Sequence, residues 1–387
     1  MGKRLKLAYD ARPAQVEGVG VASYSRSLIQ HLDFLRAEFD LAFLIDQGLP
    51  TDTTIFPSGA EFIKTTVGRG SKWHRDLWTN AVLPGLLRQR RVHLFHGLDY
   101  HIPIRPCGCV RVATFHDAIV FGDHDARRFL ERTWLRFLFR RMARAADAVV
   151  TDSEYSRQDL LRHISLHSEN VVTVWSGVSK TYFQPVRGDL VPQTLTKLGF
   201  SGPYLLYFGG YAPRKNVGTL IEAFRIVSER HWELRLVFVG STGGPYRKVL
   251  EHIRRLGLED RTSVFGFAQE EEIKILLDRC ALFVFPSQVE GFGLPAAEAM
   301  ACGAAVVCSS GGSLHEIVSD AARVVDCSRP APIAEAMIRL LDDEEERGLL
   351  IRRARQRAEL FRWERTVEKL VDVYRRCLGR KSFEAGT

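Results

Sequence analysis

The sequence predicts an α/β protein with two doubly wound, Rossmann-like domains, each built around a parallel sheet. Short apolar runs alternate with amphipathic helical patterns along most of the chain, and this rhythm is typical of parallel β/α units. Several runs are apolar at every position, as expected for strands that helices cover on both faces. The rhythm stops at a polar stretch with Pro and Gly, residues 184–192, and then restarts.

Six strands are predicted before this break. The apolar or alternating runs that predict them are residues 5–9, 41–45, 92–96, 110–115, 148–151 and 171–174. Between these runs, apolar side chains recur at helical spacing, which predicts helices that include residues 21–32, 73–88 and 153–163.

Six further strands and a terminal helix are predicted after the break. The strands are residues 204–208, 234–239, 263–265, 281–285, 304–308 and 322–325. The last helix is predicted over residues 364–378, with a frayed end at 379–387. The 387 residues suit two domains of about 100–200 residues each. We therefore expect an N-terminal domain at 1–188, a C-terminal domain at 189–363 and the terminal helix within 364–387.

Composition narrows the class of protein. Apolar residues make up 45% of the chain and charged residues 26%, as in globular proteins. No apolar run has the 18 residues of a membrane span. The basic N-terminus leads directly into an alternating strand, unlike a signal peptide, so a cytoplasmic protein is predicted. The seven cysteines are scattered, and no His/Cys cluster at zinc-site spacing surrounds the close pair Cys107 and Cys109. Asp123-His-Asp125 resembles a carboxylate metal clamp, but its place ahead of an Arg-rich helix favours a helix-start element. No metal is therefore predicted.

The most informative segment is residues 290–298, which reads Glu-Gly-Phe-Gly-Leu-Pro-Ala-Ala-Glu. It follows a buried strand, and Gly291 and Gly293 permit a sharp turn and close approach of a ligand. Pro295 and the residues after it favour a helix. Glu290 is therefore predicted on a loop at the carboxyl end of a strand, and Glu298 in the first turn of the next helix. Ligands of open α/β sheets bind at this edge. Carboxylates accept hydrogen bonds from hydroxyls, and a helix start attracts phosphate, so the segment predicts a nucleotide-sugar site.

Arg214 and Lys215 are candidate phosphate ligands. They follow the predicted strand 204–208 and the Gly209-Gly210 loop, and they precede Asn216, a predicted helix cap. A planar guanidinium can bind two phosphate oxygens at once, and an ammonium adds a point charge. A second glycine pair, Gly18-Val-Gly20, follows the first strand; its amides can face a phosphate, and a simple turn explains it equally well.

Together, these segments resemble the retaining glycosyltransferases of family 4, which have the GT-B architecture. The resemblance rests on residues 290–298, on Tyr-Phe-Gly-Gly…Pro-Arg-Lys-Asn at 207–216, on His116-Asp117 after a strand, and on Gly18-Val-Gly20 after Asp10-Ala-Arg12. It implies a cleft between two domains and a C-terminal helix that crosses back to the first domain. The segment 152–157 resembles a largely structural stretch of the family, with Arg157 a minor candidate. Gly311 and Gly312 lie along the nucleotide or form a helix-entry turn.

The resemblance also implies roles for individual residues. Glu298 would bind the ribose hydroxyls, and Glu290 the hydroxyls of the donor sugar. Arg214 and Lys215 would stabilise the departing diphosphate, and His116 would contact the sugar and help stabilise its ring as charge develops. The remaining donor-binding candidates are backbone positions and small contacts: Gly18, Gly20, Gly209, Gly210, Gly291, Phe292, Gly293 and Leu294.

The reaction implied is retaining, metal-independent transfer from a nucleotide-diphosphate sugar, with no cofactor beyond the substrates. The overall pattern most resembles mannosyl- or rhamnosyl-type members that build bacterial surface polysaccharide. This implies GDP-mannose as donor and a saccharide or lipid-linked saccharide as acceptor.

A basic stripe leaves alternatives open. Arg128, Arg132, Arg136, Arg140 and Arg144 recur every four residues in a chain with net charge +8. The stripe is typical either of a core-packed helix with a solvated basic face or of a helix that rests on an anionic membrane surface. A basic nucleic-acid-binding protein is an alternative, although no nucleic-acid motif accompanies the stripe. An NAD-dependent oxidoreductase is a second alternative, but Ser23 stands where its third glycine is expected.

Overall fold

The computed structural model describes residues 4–16, 20–67, 72–122, 127, 129–197, 199–200, 202–240, 245–266 and 268–384. The chain divides into two units. The first combines Met1–Gly177 with Trp363–Thr387, and the second is Val178–Arg362. Gly18, Asp123-His-Asp125 and Arg128, which the sequence singled out, lie outside the described residues.

The first unit is built on a seven-stranded sheet in the order β3-β2-β1-β4-β5-β6-β7, and neighbouring strands run parallel. Its strands are β1 (Leu5–Asp10), β2 (Phe39–Asp46), β3 (Glu61–Thr65), β4 (Leu94–Gly97), β5 (Val110–Phe115), β6 (Ala148–Thr151) and β7 (Val171–Thr173). The α-helices between them are α1 (Val21–Gln30), α2 (Lys72–Ala81), α3 (Leu83–Gln89), α4 (Phe129–Ala145) and α5 (Glu154–His163). Apolar clusters cover both faces of the sheet.

The second unit is built on a six-stranded parallel sheet in the order β10-β9-β8-β11-β12-β13. Its strands are β8 (Tyr204–Phe208), β9 (Arg235–Val239), β10 (Thr262–Phe265), β11 (Leu282–Phe285), β12 (Val306–Cys308) and β13 (Arg323–Val324). The helices are α6 (Val191–Thr196), α7 (Val217–Arg230), α8 (Tyr246–Arg255), α9 (Glu270–Arg279), α10 (Leu294–Cys302), α11 (Leu314–Val318), α12 (Pro330–Asp342) and α13 (Glu344–Ala358). The predicted class, two doubly wound α/β domains, is confirmed.

The strand orders mark where ligands bind. The order reverses between β1 and β4 in the first sheet, and between β8 and β11 in the second. Connections leave the sheet in opposite directions at such a switch point, and this opens a crevice at the carboxyl ends of the strands. Arg214 and Lys215 follow β8, and Glu290 follows β11, so these three predicted residues share the second switch point.

The last helix, α14 (Trp363–Glu384), belongs to the first unit. Its buried side chains, which include Trp363, Leu370 and Tyr374, join the apolar cluster on one face of the first sheet. The prediction of a frayed end from residue 379 was wrong for residues 379–384, which continue the helix. One stabilising contact is visible there, because Arg380 donates a hydrogen bond to the Oδ1 atom of Asn170 at 3.0 Å.

The observed boundaries between the units are 177/178 and 362/363. Both lie earlier in the chain than the expected boundaries, 188/189 and 363/364. The side chain of Lys274, on α9, explains the first difference. Its buried ammonium donates to the backbone oxygens of Thr181, Gln184 and Pro185. This contact fastens the segment after residue 177 to the second unit.

Two further expectations need correction. The helix predicted over 73–88 is interrupted, so that α2 and α3 are separate helices. Pro84, in the first turn of α3, explains the break, since proline lacks the amide hydrogen that would bond the carbonyl four residues earlier in a continuous helix. The edge strand β3 was missed because three of the five residues in its sequence, Glu-Phe-Ile-Lys-Thr, are polar and leave no clear apolar run.

Candidate functional site

The loop after β8 places two cations at the switch point. Pro213, Arg214 and Lys215 form a 3-10 turn, and Asn216 adopts a left-handed conformation (φ 56°) before α7 begins. Asn216 is the N-cap residue of α7, as predicted, but its side chain makes no capping hydrogen bond. Its amide nitrogen instead donates to the Cys327 carbonyl at 2.6 Å, and its Oδ1 atom accepts from Thr219. Asn216 therefore fixes the end of the cationic turn.

The loop after β11 brings Glu290 to this turn. The Nζ atom of Lys215 lies 2.5 Å from Oε1 of Glu290, and Nη1 of Arg214 lies 3.4 Å from Oε2. Arg214 also donates to the Val289 carbonyl at 2.9 Å. Only 7% of the Glu290 surface is exposed. The cluster thus joins two cations and one anion in a partly buried position, and its net positive charge suits a phosphate ligand.

The backbone of Glu290 is held by a segment that the sequence left ambiguous. The amide and the hydroxyl of Ser313 both donate to the Glu290 carbonyl, at 3.1 and 3.2 Å. Gly312 has φ +67°, and a Cβ atom there would stand 2.3 Å from the same oxygen. A Cβ at Gly311 would stand 2.2 Å from the Gln288 carbonyl oxygen. These glycines therefore allow close packing against the Glu290 loop.

The Gly209-Gly210 loop has a partner that the sequence did not indicate. Gly240, after β9, lies so near that a Cβ atom there would stand 1.9 Å from the Gly209 carbonyl oxygen. The amide of Gly209 donates to the Val239 carbonyl at 2.9 Å, and the Tyr207 hydroxyl donates to the Gly210 carbonyl at 2.5 Å. Two strand ends thus meet without side chains between them.

The remaining positions of segment 290–298 lead into α10. Gly293 adopts φ +93° directly before the helix, which begins at Leu294. Phe292 is buried and its ring packs edge-on against Phe361, with centroids 5.5 Å apart. Its side chain is thus part of the core, whereas Gly291 and Leu294 are half-buried.

Glu298 interacts with a different charged residue from those of the cluster of Arg214, Lys215 and Glu290. Burial, and after it the negative charge of Glu270 at the start of α9, raises the pKa of Glu298 to about 8. The carboxyl is therefore mostly protonated at neutral pH, and it can both donate and accept a hydrogen bond. Arg214, Lys215 and Glu290 meet directly, while Glu298 forms a second polar position on the same segment.

Gly20 and His116 lie at the carboxyl edge of the first sheet. Gly20 (φ 73°) precedes α1, and no acidic residue occupies the first turn of that helix. His116 follows β5, and its Nδ1 atom lies 2.6 Å from Oδ2 of Asp152. Its Nε2 atom lies 3.0 Å from the Leu98 carbonyl oxygen. Both ring nitrogens thus lie within hydrogen-bond distance of protein oxygens, and the sequence predicted neither of these two contacts.

Within the described residues, no group of three or more His, Cys, Asp or Glu side chains is arranged to hold a metal ion. None of the helices in that part of the chain has the length and apolar character needed to cross a bilayer.

Comparisons with known proteins decide the family. A model described as glycosyl transferases group 1 matches residues 197–357, and one described as glycosyltransferase family 4 matches residues 19–181. The chain is 31% identical over 294 residues to the MMP alpha-(1->4)-mannosyltransferase of Mycolicibacterium hassiacum, which covers 72% of this chain and 68% of the relative. The chain is a family 4, group 1 glycosyltransferase.

Other similarities agree with this assignment. The transferase is 29% identical over 297 residues to the O-antigen chain mannosyltransferase B of Escherichia coli, covering 75% of this chain and 76% of the relative. The structure of sucrose-phosphate synthase from Thermosynechococcus elongatus matches with a TM-score of 0.78 and 20% identity, over 97% of this chain and 100% of that chain. The fold is thus GT-B, and the family assignment replaces the oxidoreductase and nucleic-acid alternatives.

Proposed function

We propose that the transferase moves a mannosyl group from GDP-mannose, with retention of anomeric configuration, to a saccharide or lipid-linked saccharide during surface polysaccharide synthesis. The observation that carries the proposal is the cluster of Arg214, Lys215 and Glu290 at the second switch point. The names of two relatives, both mannosyltransferases, support the choice of sugar. The E. coli relative's name, which refers to the O-antigen chain, supports the choice of pathway.

The proposed roles follow from charge. Breaking the bond between the anomeric carbon and the diphosphate oxygen leaves negative charge on the diphosphate, which Lys215 and Arg214 stabilise. Glu290 accepts hydrogen bonds from the sugar hydroxyls, and Glu298 binds the ribose hydroxyls. The amide of Gly209 already donates to the Val239 carbonyl, so the further donors proposed are the backbone amides of the Gly18–Gly20 loop, of Gly210 and of the start of α10.

We propose that the acceptor oxygen attacks the face from which the diphosphate leaves. One carbon–oxygen bond forms as the other breaks, and the acceptor proton passes to an oxygen of the departing diphosphate. This route needs no covalent nucleophile on the protein and preserves the anomeric configuration. The two cations carry the charge that a metal ion carries in other transferases, so the reaction is expected to proceed without one.

A donor screen tests the proposal. We expect GDP-mannose, among GDP-, UDP-, ADP- and dTDP-sugars, to raise the melting temperature most, since a ligand that binds the folded state stabilises it. Slow hydrolysis and transfer from GDP-mannose should persist in EDTA, and NMR of the product should show the donor's anomeric configuration. Inversion of the anomeric configuration would contradict the retaining mechanism, and loss of transfer in EDTA would contradict metal independence. Preference for another nucleotide sugar would contradict GDP-mannose as the donor.

The exposed face of α4 supports the proposal that the acceptor is linked to lipid at a membrane surface. Leu135, Leu138 and Met142 bury one side of the helix in the core, while Phe129 and Leu130 on its outer side are 71% and 80% exposed. Two described arginines of the basic stripe differ in their surroundings. Arg136 donates to backbone carbonyls of the preceding turn, whereas Arg144 is exposed. Exposed apolar and cationic side chains together suit an anionic lipid surface.

A vesicle assay tests this contact. We expect the protein to sediment with vesicles that contain phosphatidylglycerol and to bind pure phosphatidylcholine weakly. Replacing Phe129 and Leu130 with serine should reduce sedimentation several-fold. Trp232→Ser, which alters a side chain 77% exposed in the second unit, is the matched control. Equal binding by all three proteins would show that α4 does not mediate the contact.

A further inference from the structure

The ring of His116 is held by two acceptors that carry no hydrogen. The Asp152 carboxylate oxygen lies 2.6 Å from Nδ1, and the Leu98 carbonyl oxygen lies 3.0 Å from Nε2. A carbonyl oxygen requires an N–H donor, and an ionised carboxylate requires another. With the Asp152 carboxylate ionised, both contacts are satisfied together only by an imidazolium that carries a hydrogen on each nitrogen.

The fold brings these groups together at three adjacent strand ends. Phe115 and Thr151 are paired in register, so His116 and Asp152 leave the sheet side by side. Leu98 follows β4, the neighbour of β5 on the other side. Asp152 is buried, and the hydroxyl of Ser153, which follows it, accepts from the Ser156 amide and caps α5. The carboxylate therefore has a fixed backbone behind it.

The surrounding charges favour the same protonation state. Burial lowers the pKa of His116, but the charge and hydrogen bond of Asp152 oppose this, and Asp99, after β4, adds to them. The result is a pKa raised to about 9. The other titratable groups nearby are His96, in β4, whose pKa is depressed by burial and by His116, and Tyr24, on α1, whose ring lies 4.7 Å away.

We propose that Asp152 is a positioning residue that holds His116 in one orientation and in its doubly protonated form. The proposal rests on the proposed function only for the placement of His116 beside the donor sugar, which the family resemblance implies. A ring with both nitrogens engaged cannot accept a proton or bond a sugar hydroxyl through nitrogen. His116 therefore acts through its fixed position and charge, and this proposal replaces the expectation that His116 helps to stabilise the sugar ring as charge develops there. The positive charge of the imidazolium would instead stabilise the negative charge that develops on the departing diphosphate.

NMR of the full-length protein tests the pairing without any substrate. In protein labelled at histidine, His116 should titrate near pH 9 and show both ring N–H protons below that pH. In Asp152→Asn the titration should move toward the ordinary value of 6.5, because a neutral amide removes the opposing charge. Asp152→Glu should restore much of the shift. Asp159→Asn, which removes a carboxylate on α5 near Arg162 and His163, is the control and should leave it unchanged.

Kinetics then distinguish this proposal from the proposed function. The wild-type rate should fall as pH rises through about 9, and in Asp152→Asn this fall should begin nearer neutral pH, with kcat affected more than KM. A His116 that titrates below pH 7 in the wild type, or that is unmoved in Asp152→Asn, overturns the pairing. In a third outcome, the His116 titration shifts in Asp152→Asn but the pH–rate profile stays the same. This result would overturn the role of His116 in transfer and leave the pairing with Asp152 intact.

Discussion

Lys215→Ala is expected to lower kcat/KM for glycosyl transfer by about 10²- to 10³-fold, the loss typical when one stabiliser of developing charge is removed. The ammonium of Lys215 lies 2.5 Å from the Glu290 carboxylate and 5.1 Å from the centroid of the Phe285 ring. It is thus held in place before any ligand arrives. Pre-positioned charge stabilises a departing diphosphate without reorganisation, which is why a large effect on kcat is expected.

Lys248→Ala is the matched control for this measurement. Lys248 lies exposed on α8 in the same unit, so its removal changes the net charge equally without touching the cluster. Steady-state kinetics with GDP-mannose should show near-wild-type values for Lys248→Ala. Melting temperatures of the two variants should confirm that both are folded. Near-normal transfer by folded Lys215→Ala would remove the basis for the phosphate role of the cluster.

The candidate site was predictable where local sequence determines backbone position. Apolar runs located β8 and β11, and Arg214, Lys215 and Glu290 follow them within a few residues. Parallel strands present their carboxyl ends at one edge, so the two loops had to lie on the same side of the sheet. What the sequence could not supply was the strand order, which alone makes β8 and β11 neighbours.

The contacts that hold the site were not predictable. Gly240 meets Gly209, and His116 meets Asp152, through pairs that are distant in sequence. A glycine before a helix is equally compatible with a turn and with close packing. For that reason the segment at Gly311 and Gly312 stayed ambiguous until the structure showed backbone atoms of the Glu290 loop beside it. Tertiary proximity, which no local pattern encodes, decided each case.

Gly312→Ala is expected to lower kcat/KM by about 10²-fold, through displacement of Glu290 by roughly an ångström. The alanine Cβ would lie 2.3 Å from the Glu290 carbonyl oxygen and 2.5 Å from its amide nitrogen. Both are backbone atoms, so neither can move aside as a flexible side chain would. Gly312 also adopts φ +67°, which disfavours alanine. We expect a loss of about 1–3 kcal/mol in the free energy of unfolding.

Gly188→Ala separates this effect from a general response to losing a glycine. A Cβ atom at Gly188 would meet nothing within 4 Å, and its φ lies outside the strained range, so activity and stability should stay close to wild type. Denaturant unfolding gives the stability of each variant, and kinetics at saturating donor give kcat. If Gly312→Ala loses stability but keeps kcat, the Glu290 loop absorbs the strain without moving its carboxylate. In that case Lys215 and Arg214, instead of the glycine contact, are what hold Glu290 in its working position.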